Sequence, residues 1–235
     1  APLGNLFAAV SDTDAQNIIQ QAITDGCKTF DTAPHYGHGL SEQRMGEFLS
    51  AQVKSRDSFN ISSKVGRLLT PSSQVPREQF SYVDGLPHVQ HWDFSRSGIR
   101  KSIEDSLSRL GLSRLDAVYV HDIDSANHGN NFKAVFKQVL SETLPELVKL
   151  KQEGLLTHIG LGVNDHQIVL DVLKHADLDA LMLAGRYTLL DTSALPQLMP
   201  ELLRRKVSLA LGGVYNSGIL ANRLSSDAKV TFNYA

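Results

Sequence analysis

The 235-residue sequence lacks several features that define common classes of protein. Its one cysteine, Cys27, excludes an internal disulfide and a multi-cysteine zinc site and favours a reducing compartment. No apolar run reaches the roughly 18 residues of a membrane span, and no signal sequence opens the chain. The formal net charge of -2 gives no reason to expect nucleic acid or a membrane surface as a partner. We therefore expect a soluble, cytoplasmic protein, with Cys27 buried and inert.

The sequence does contain a regular alternation of apolar runs and helical patterns. Six runs end in a polar residue or glycine: "CKTFDTA", "SFNISSK", "LDAVYVHD", "THIGLGVND", "LDALMLAGRY" and "KVSLALGG". Helical spacing predicts helices near 14–25, 41–50, 97–110, 132–153, 165–175 and 196–205. Ser41 is a candidate cap for the second helix, and Gly111 closes the third.

Strands that alternate with helices, and that lack polar alternation, indicate a parallel sheet covered by helices. The two common solutions are a barrel of eight units and a doubly wound sheet. A doubly wound dinucleotide fold would show G-x-G-x-x-G after its first strand, and the sequence has none there. The pattern favours an α/β fold of the (β/α)8 TIM barrel type, forming one partial domain over residues 1–235.

Polar residues stand at the ends of three successive strands, namely Asp31, Lys64 and His121, and Asn164 with Asp165 follows the next strand. Any one of these residues alone is explained as a strand-terminating group that bonds loop backbone. Because the carboxyl ends of barrel strands meet at one face, the three together favour a shared active site.

Three segments resemble signatures of the aldo-keto reductase family. "FDTAPHYGHGLSEQRMGEFL" resembles its D-T-A-x-x-Y-G-x-G-x-S-E signature, "NISSK" its third-strand lysine segment, and "SIEDSLSRLGLSRLDAVYVHD" its S-L-x-R-L segment ending in histidine. Other stretches, such as "GGVYNSGIL", are similar to the branch of D-threo-aldose 1-dehydrogenases, L-fucose dehydrogenases and pyridoxal 4-dehydrogenases. The resemblance implies a (β/α)8 barrel that binds NAD or NADP without a Rossmann domain.

The resemblance also implies a catalytic tetrad of Asp31, Tyr36, Lys64 and His121. Tyrosine ordinarily has a pKa of about 10, too high for a base near neutrality. A neighbouring Lys64 would stabilise the phenolate, and Asp31 would pair with the lysine. His121 would orient the substrate oxygen.

The cofactor segments depart from the family pattern. Where relatives carry Ser-Asn and Gln to hold the carboxamide, this sequence has Asn164-Asp165 and Ala184. Gly212 stands where relatives stack an aromatic ring, and Tyr215 is a candidate replacement. The resemblance therefore implies the following cofactor-binding residues: Asn164, Gly212, Tyr215, Asn216, Ser217, Gly218 and Leu220.

Family members generally exceed the length of this sequence. The opening "APLGNLF" resembles the end of a first strand, and no eighth strand is recognisable after "NYA". We therefore expect a barrel that is incomplete at both ends and that binds cofactor poorly as this polypeptide alone.

Some further residues are candidates for the substrate pocket or for metal binding. Trp92 and Asp122 are predicted to line the pocket, and Asp124 and His128 lie close by in "HDIDSANH". "HVQH" has helix-like histidine spacing but no third ligand, so we predict no metal site there.

The predicted function is NAD(P)-dependent oxidation of the anomeric hydroxyl of a cyclic aldose to a lactone. The alternatives are oxidation of a pyridoxal-type hemiacetal, general aldehyde or ketone reduction, and a non-catalytic cofactor-binding regulatory subunit. The sequence leaves open the sugar, the choice between NAD and NADP, and the oligomeric state.

Overall fold

A computed structural model describes residues 2–52 and 55–221 of the chain. They form two compact units. The first contains the described residues up to Val118 together with Ser141–His158, and the second contains Tyr119–Leu140 and the described residues from Ile159 onward. The single domain over residues 1–235 stays a prediction.

The described residues contain a parallel sheet of six strands, which are the six apolar runs of the sequence. The strands are β1 (Thr29–Asp31), β2 (Asn60–Val65), β7 (Leu115–His121), β8 (Leu156–Val163), β9 (Ala180–Ala184) and β10 (Ser208–Gly212). Their order in the sheet is β1-β2-β7-β8-β9-β10. Phe30 pairs with Ile61 in the first unit, and Leu161 with Leu181 in the second. The sheet order, with helices between the strands, agrees with the predicted barrel architecture.

The described chain has eight α-helices, of which α1 precedes β1 and the other seven lie between strands. They are α1 (Asp12–Thr24), α2 (Leu40–Gln52), α3 (Arg96–Leu110), α4 (Ser125–His128), α5 (Phe132–Gln138), α6 (Leu144–Gln152), α7 (His166–Leu173) and α8 (Leu198–Arg205). Local sequence explains the clearest of them. Ser95 caps α3 by accepting from the Gly98 amide, and Gly111 ends it in a left-handed conformation. The apolar side chains at helical spacing on one face of α3 are buried, namely Ile99, Ile103, Leu107 and Leu110.

Two antiparallel two-stranded sheets follow β2 in the first unit. β3 (Arg67–Pro71) pairs antiparallel with β6 (His88–Trp92), and β4 (Glu78–Gln79) pairs antiparallel with β5 (Tyr82–Val83). The pair His88 and His91 therefore lies on a strand, and its helix-like spacing was misleading.

The opening residues do not end a strand of the parallel sheet, so that prediction is wrong. Pro2–Gly4 is a short 3-10 helix, and Leu6 forms an antiparallel bridge with Tyr82. These residues are held by the β4–β5 hairpin, whose backbone offers the hydrogen bonds that the local sequence cannot supply.

Three other local predictions need correction. The predicted helix over 132–153 is divided into α5, a π-helical segment Val139–Thr143, and α6. Ser41 is the second residue of α2 and does not cap it. Cys27 is exposed, because β1 begins only at Thr29 and its first buried residue is Phe30.

Candidate active site

The turn that carries Tyr36 begins where β1 ends. The Thr32 amide donates to the Ser62 carbonyl at 3.0 Å, which continues the pairing with β2 for one residue. The chain then turns, with the Tyr36 amide donating to Ala33, and Gly37, His38 and Gly39 adopt positive φ. Helix α2 begins directly afterwards. The DTAPHYG sequence therefore encodes a tight return that sets Tyr36 beside the strand ends.

Lys64 is the centre of the polar group in the first unit. Its ammonium donates to Asp31 Oδ2 at 2.5 Å and to the Thr32 carbonyl at 2.9 Å. It also hydrogen-bonds the Tyr36 side chain, and Nζ lies 4.6 Å from the centroid of the Tyr36 ring. The structure thus brings together Asp31, Tyr36 and Lys64, three of the four residues that the resemblance implies to be catalytic.

The environment of Lys64 keeps it charged. Its side chain is only 2% exposed. Burial lowers the pKa of the ammonium, but the Asp31 carboxylate and the Tyr36 side chain raise it by more, so the net pKa lies above the ordinary lysine value. Asp31 is itself anchored, because Ser62 donates to its other carboxylate oxygen at 2.7 Å.

A second buried network, which the sequence pattern does not predict, supports the strand that carries Lys64. Glu42 is fully buried and accepts from the Ser63 hydroxyl at 2.6 Å and from Arg109 Nε at 2.6 Å. Ser41 accepts from the Thr32 hydroxyl at 2.9 Å. Ser41 and Glu42, the S-E pair of the signature, therefore connect α2 to the ends of β1 and β2. This role explains why the pair follows the tyrosine turn in the signature.

Close backbone contact fixes the tyrosine turn from the N-terminal side. A Cβ on Gly4 would lie 2.5 Å from the Tyr36 carbonyl carbon, and one on Gly37 would lie 2.4 Å from the Gly4 carbonyl oxygen. The buried Arg44 side chain holds the same N-terminal stretch, since it donates to the Leu3 and Val10 carbonyls and to Asn5 Oδ1. Only glycines permit this approach.

Histidines flank Tyr36 and are joined by Gln90 of β6. His35 Nδ1 donates to Gln90 Oε1 at 2.8 Å, and Gln90 Nε2 donates to His38 Nδ1 at 2.8 Å. His38 Nε2 then faces the Gln79 carbonyl at 3.4 Å. Burial lowers the pKa of His38, although the bond to Gln79 opposes the effect. His38 is therefore a neutral acceptor toward Gln90.

Trp92 lies at the end of β6 in the first unit. Its ring stacks on Phe94, with centroids 5.5 Å apart, and the Arg67 guanidinium lies 3.7 Å from its centroid. Trp92 is half-buried, as a residue in the wall of a pocket would be. That it lines the substrate pocket stays a prediction.

The second unit contains His121 and Asp122 at the end of β7. His121 is buried, and its Nε2 lies 3.5 Å from Asp122 Oδ2. Asp122 has a positive φ and accepts from His128 Nε2 through its carbonyl at 2.9 Å. Asp124 instead caps α4 by accepting from Asn127, which gives that carboxylate a structural role.

In the second unit, Asn164 directly follows β8 and Ala184 is the last residue of β9. Asn164 is half-buried, and its carbonyl accepts from Arg186 Nε at 2.9 Å. Arg186 also pairs with Asp191. Ala184 approaches Gly212, where an added Cβ would lie 3.2 Å from that of Ala184. A larger side chain at 212 would therefore displace its neighbour.

The loop after β10 contains the other residues that the resemblance assigns to the cofactor. Gly213, Asn216, Ser217 and Gly218 have positive φ, while Tyr215 is exposed and Leu220 half-buried. Asn216 is 1% exposed, yet its amide nitrogen and oxygen have no hydrogen-bond partner among the described residues. A buried amide without a partner is unusual in a folded protein. The buried Asn216 amide therefore fits a binding site in which a ligand supplies the missing hydrogen-bond partners.

Residues 2–52 and 55–221 offer neither a metal site nor a membrane span. No group of three or more His, Cys, Asp or Glu side chains there is placed to hold a metal ion. No helix in that part of the chain has the length and apolar character needed to cross a membrane.

Comparison with known proteins agrees with this geometry. The profile of the Aldo/keto reductase family matches residues 2–230. D-threo-aldose 1-dehydrogenase of Pseudomonas sp. is 39% identical over 226 residues, covering 94% of this chain and 65% of the relative. Pyridoxal 4-dehydrogenase of Microbacterium luteolum is 36% identical over 245 residues, covering 100% of this chain and 70% of the relative. L-galactose dehydrogenase of Arabidopsis thaliana is 31% identical over 226 residues, covering 95% and 62%. The chain thus spans about two thirds of the length of these curated relatives.

Solved structures support the same fold. An aldo-keto reductase from Bacillus halodurans in its holo form matches with a TM-score of 0.70 at 22% identity, covering 99% of this chain and 67% of that one. A glycerol dehydrogenase from Gluconobacter oxydans matches with a TM-score of 0.72 at 21% identity, covering 97% and 62%. The sequence match and the shared architecture lead to one conclusion: the chain belongs to the aldo/keto reductase family.

Proposed function

We propose that this protein is an NAD(P)-dependent oxidoreductase that oxidises the anomeric hydroxyl of a cyclic aldose to a lactone. The observation that carries the proposal is the buried ammonium of Lys64, bonded to both Asp31 and the Tyr36 side chain. Similarity to D-threo-aldose 1-dehydrogenase and L-galactose dehydrogenase supports the substrate class. We also propose a cytoplasmic location, on the grounds of the single cysteine.

Tyr36 is assigned the proton transfer. A cation beside a phenol favours the phenolate, and a phenolate accepts the proton of the substrate hydroxyl as the carbon–oxygen bond becomes a carbonyl. In the reverse direction the phenol returns that proton. Asp31 holds Lys64 in place by a short hydrogen bond, so it acts on the reaction through the lysine.

The remaining assignments rest on the family resemblance. His121 is assigned to orient the substrate oxygen through a ring nitrogen. The bound nicotinamide cofactor would accept the hydride of the anomeric carbon. Asn164, the Asn216 amide, which has no partner among the residues that the structure describes, and the backbone around Gly218 are the groups assigned to hold it. Trp92 and Asp122 are assigned to the substrate pocket.

Oxidation of a pyridoxal-type hemiacetal is a second candidate. Pyridoxal 4-dehydrogenase is 36% identical over the whole of this chain, and the hemiacetal presents the same reacting group. Initial rates with L-fucose, D-arabinose, L-galactose and pyridoxal, each with NAD+ and NADP+, separate the two. Activity confined to the reduction of simple aldehydes would refute both.

The role of Tyr36 is tested by Tyr36→Phe, with Tyr82→Phe as the matched control. Both changes delete one phenol hydroxyl, and the two rings lie 6.3 Å apart. We expect Tyr36→Phe to lower kcat about 10²- to 10⁴-fold, the usual contribution of general acid–base catalysis. Tyr82→Phe should keep kcat within about threefold of the wild type.

NAD(P)H binding, measured by fluorescence titration, should be unchanged in both variants. Turnover retained by Tyr36→Phe would remove that residue from the acid–base role, and absence of turnover with tight cofactor binding would favour a regulatory subunit.

A further inference from the structure

Two phenylalanines in the first unit combine backbone strain with solvent exposure. Phe7 and Phe80 have φ values of 65° and 51°, in the left-handed region that bulky L-residues rarely adopt. Their side chains are 50% and 61% exposed. Neither the conformation nor the exposure contributes to a packed core. Outliers of this kind cluster at functional sites, where the surrounding structure holds them in place.

The two residues stand on adjoining stretches of backbone. Phe80 and Ser81 form the two-residue turn between β4 and β5, and both have positive φ. Turns of this type ordinarily contain Asn or Gly at these positions. The Phe7 amide donates to the Ser81 carbonyl at 2.7 Å, and the preceding Leu6 bridges Tyr82. The backbone of Phe7 is therefore hydrogen-bonded to the turn that contains Phe80.

A series of ring contacts leads from Phe80 to Tyr36. The Phe80 ring contacts His35 edge-on, with centroids 5.8 Å apart. His35 in turn lies 5.2 Å from Tyr82 and 6.1 Å from Tyr36. The exposed phenylalanine is thus the solvent-facing end of the ring cluster that contains the proposed acid–base residue.

We propose that Phe7 and Phe80 form an aromatic contact surface beside Tyr36 for a ring-shaped substrate. The inference rests on the proposed function, because it takes Tyr36 as the reacting group. The C–H face of a pyranose and the face of a pyridine ring both pack against an aromatic side chain, whereas a short aldehyde has no such face. Placing phenylalanine in a turn that suits glycine costs stability, and contact with substrate gives the aromatic side chain a role that offsets this cost.

Self-association is the competing explanation for exposed aromatic residues. The ring contacts favour a substrate surface, because they join Phe80 to the cluster around Tyr36. A surface that served only to pair two copies of the chain would not need to lie next to Tyr36. The oligomeric state of each variant, measured by light scattering, tests this alternative.

The test compares Phe80→Gly and Phe7→Gly with the control Ser81→Gly. All three relieve a left-handed conformation, but Ser81→Gly removes no ring. We expect the phenylalanine variants to raise KM for the best ring substrate about three- to tenfold, with kcat changed less than twofold. Their KM for reduction of methylglyoxal, which has no ring, should not change. Tm should stay level or rise by about 2–4 °C. Ser81→Gly should keep the wild-type KM.

Binding of pyridoxine separates this inference from the proposed function. Pyridoxine keeps the pyridine ring without a reactive aldehyde, and its fluorescence reports binding whether or not the protein turns over a substrate. We expect Kd to rise about three- to tenfold in Phe80→Gly. An unchanged Kd and KM in both phenylalanine variants would overturn the proposal, and so would loss of a dimer with unchanged KM. A wild-type protein without turnover refutes the proposed function alone.

Discussion

Replacing Lys64 by methionine removes the cation beside Tyr36 while keeping a side chain of similar length. Lys64 Nζ lies 4.6 Å from the centroid of the Tyr36 ring, over which a phenolate spreads part of its charge. At an effective dielectric constant of about 20, two unit charges at that distance attract by about 3.6 kcal/mol. At 1.36 kcal/mol per factor of ten, this corresponds to about 450-fold in the population of the phenolate.

The assay is kcat for oxidation of the best aldose between pH 6 and 10.5. We expect Lys64→Met to lower kcat at pH 7 by about 450-fold, and the rising limb of the rate profile to move up by about 2.6 pH units. Turnover of the variant should therefore recover at high pH. A variant that merely misplaced the substrate would lose turnover equally at every pH.

Lys101→Met is the matched control, because it makes the same change in total charge at an exposed ion pair with Asp105 on α3. It should leave both kcat and the pH profile unchanged. Asp31 keeps its hydrogen bond from Ser62 and its side chain is 26% exposed, so Lys64→Met should stay folded, as circular dichroism can check. A fall in kcat below tenfold, with no movement of the profile, would refute the electrostatic argument.

Two further predictions concern the network around the site. Arg109→Met leaves the fully buried Glu42 without its cation, and we expect a loss of about 3–5 kcal/mol in the free energy of unfolding in guanidinium chloride. Arg77→Met, at an exposed ion pair, should leave the free energy of unfolding nearly unchanged, and equal effects of the two variants would contradict the burial argument. Because burial lowers the pKa of His38, its protonation opposes folding: stability should be level above about pH 6.5 and fall as the pH drops toward the folded-state pKa. Tm measured at pH 7.5 and 5.5 should show this loss, and His38→Gln should reduce it; an identical loss in that variant would exclude His38 as the source.

Elements defined by neighbouring residues were predicted well. The helix expected near 97–110 is observed as Arg96–Leu110, because its cap, its apolar spacing and its closing glycine are all local. The helix expected over 132–153 failed in its middle, where Val139–Thr143 adopts π geometry. There the Thr143 hydroxyl donates to the Phe94 carbonyl, a contact between residues 49 positions apart. Apolar spacing contains no information about such a contact.

The exposure of Cys27 shows a different limit. Cys27 was predicted to be buried because it precedes a strand, but β1 is only three residues long and its first residue, Thr29, is exposed. Burial depends on which strands and helices cover a residue, and the length of an apolar run does not decide that.

The amino-acid pattern was enough to predict the family, the six strands of the parallel sheet, and Asp31, Tyr36 and Lys64 as a group. These follow from local apolar patterns and from two short motifs, one with Asp31 and Tyr36 and the other with Lys64. The tertiary structure alone decided how that group is supported. The ion pair of Glu42 with Arg109 joins residues 67 positions apart, and the bond of His35 to Gln90 joins residues 55 apart. Such contacts form only when the chain is folded, because each depends on the packing of elements that are distant in sequence.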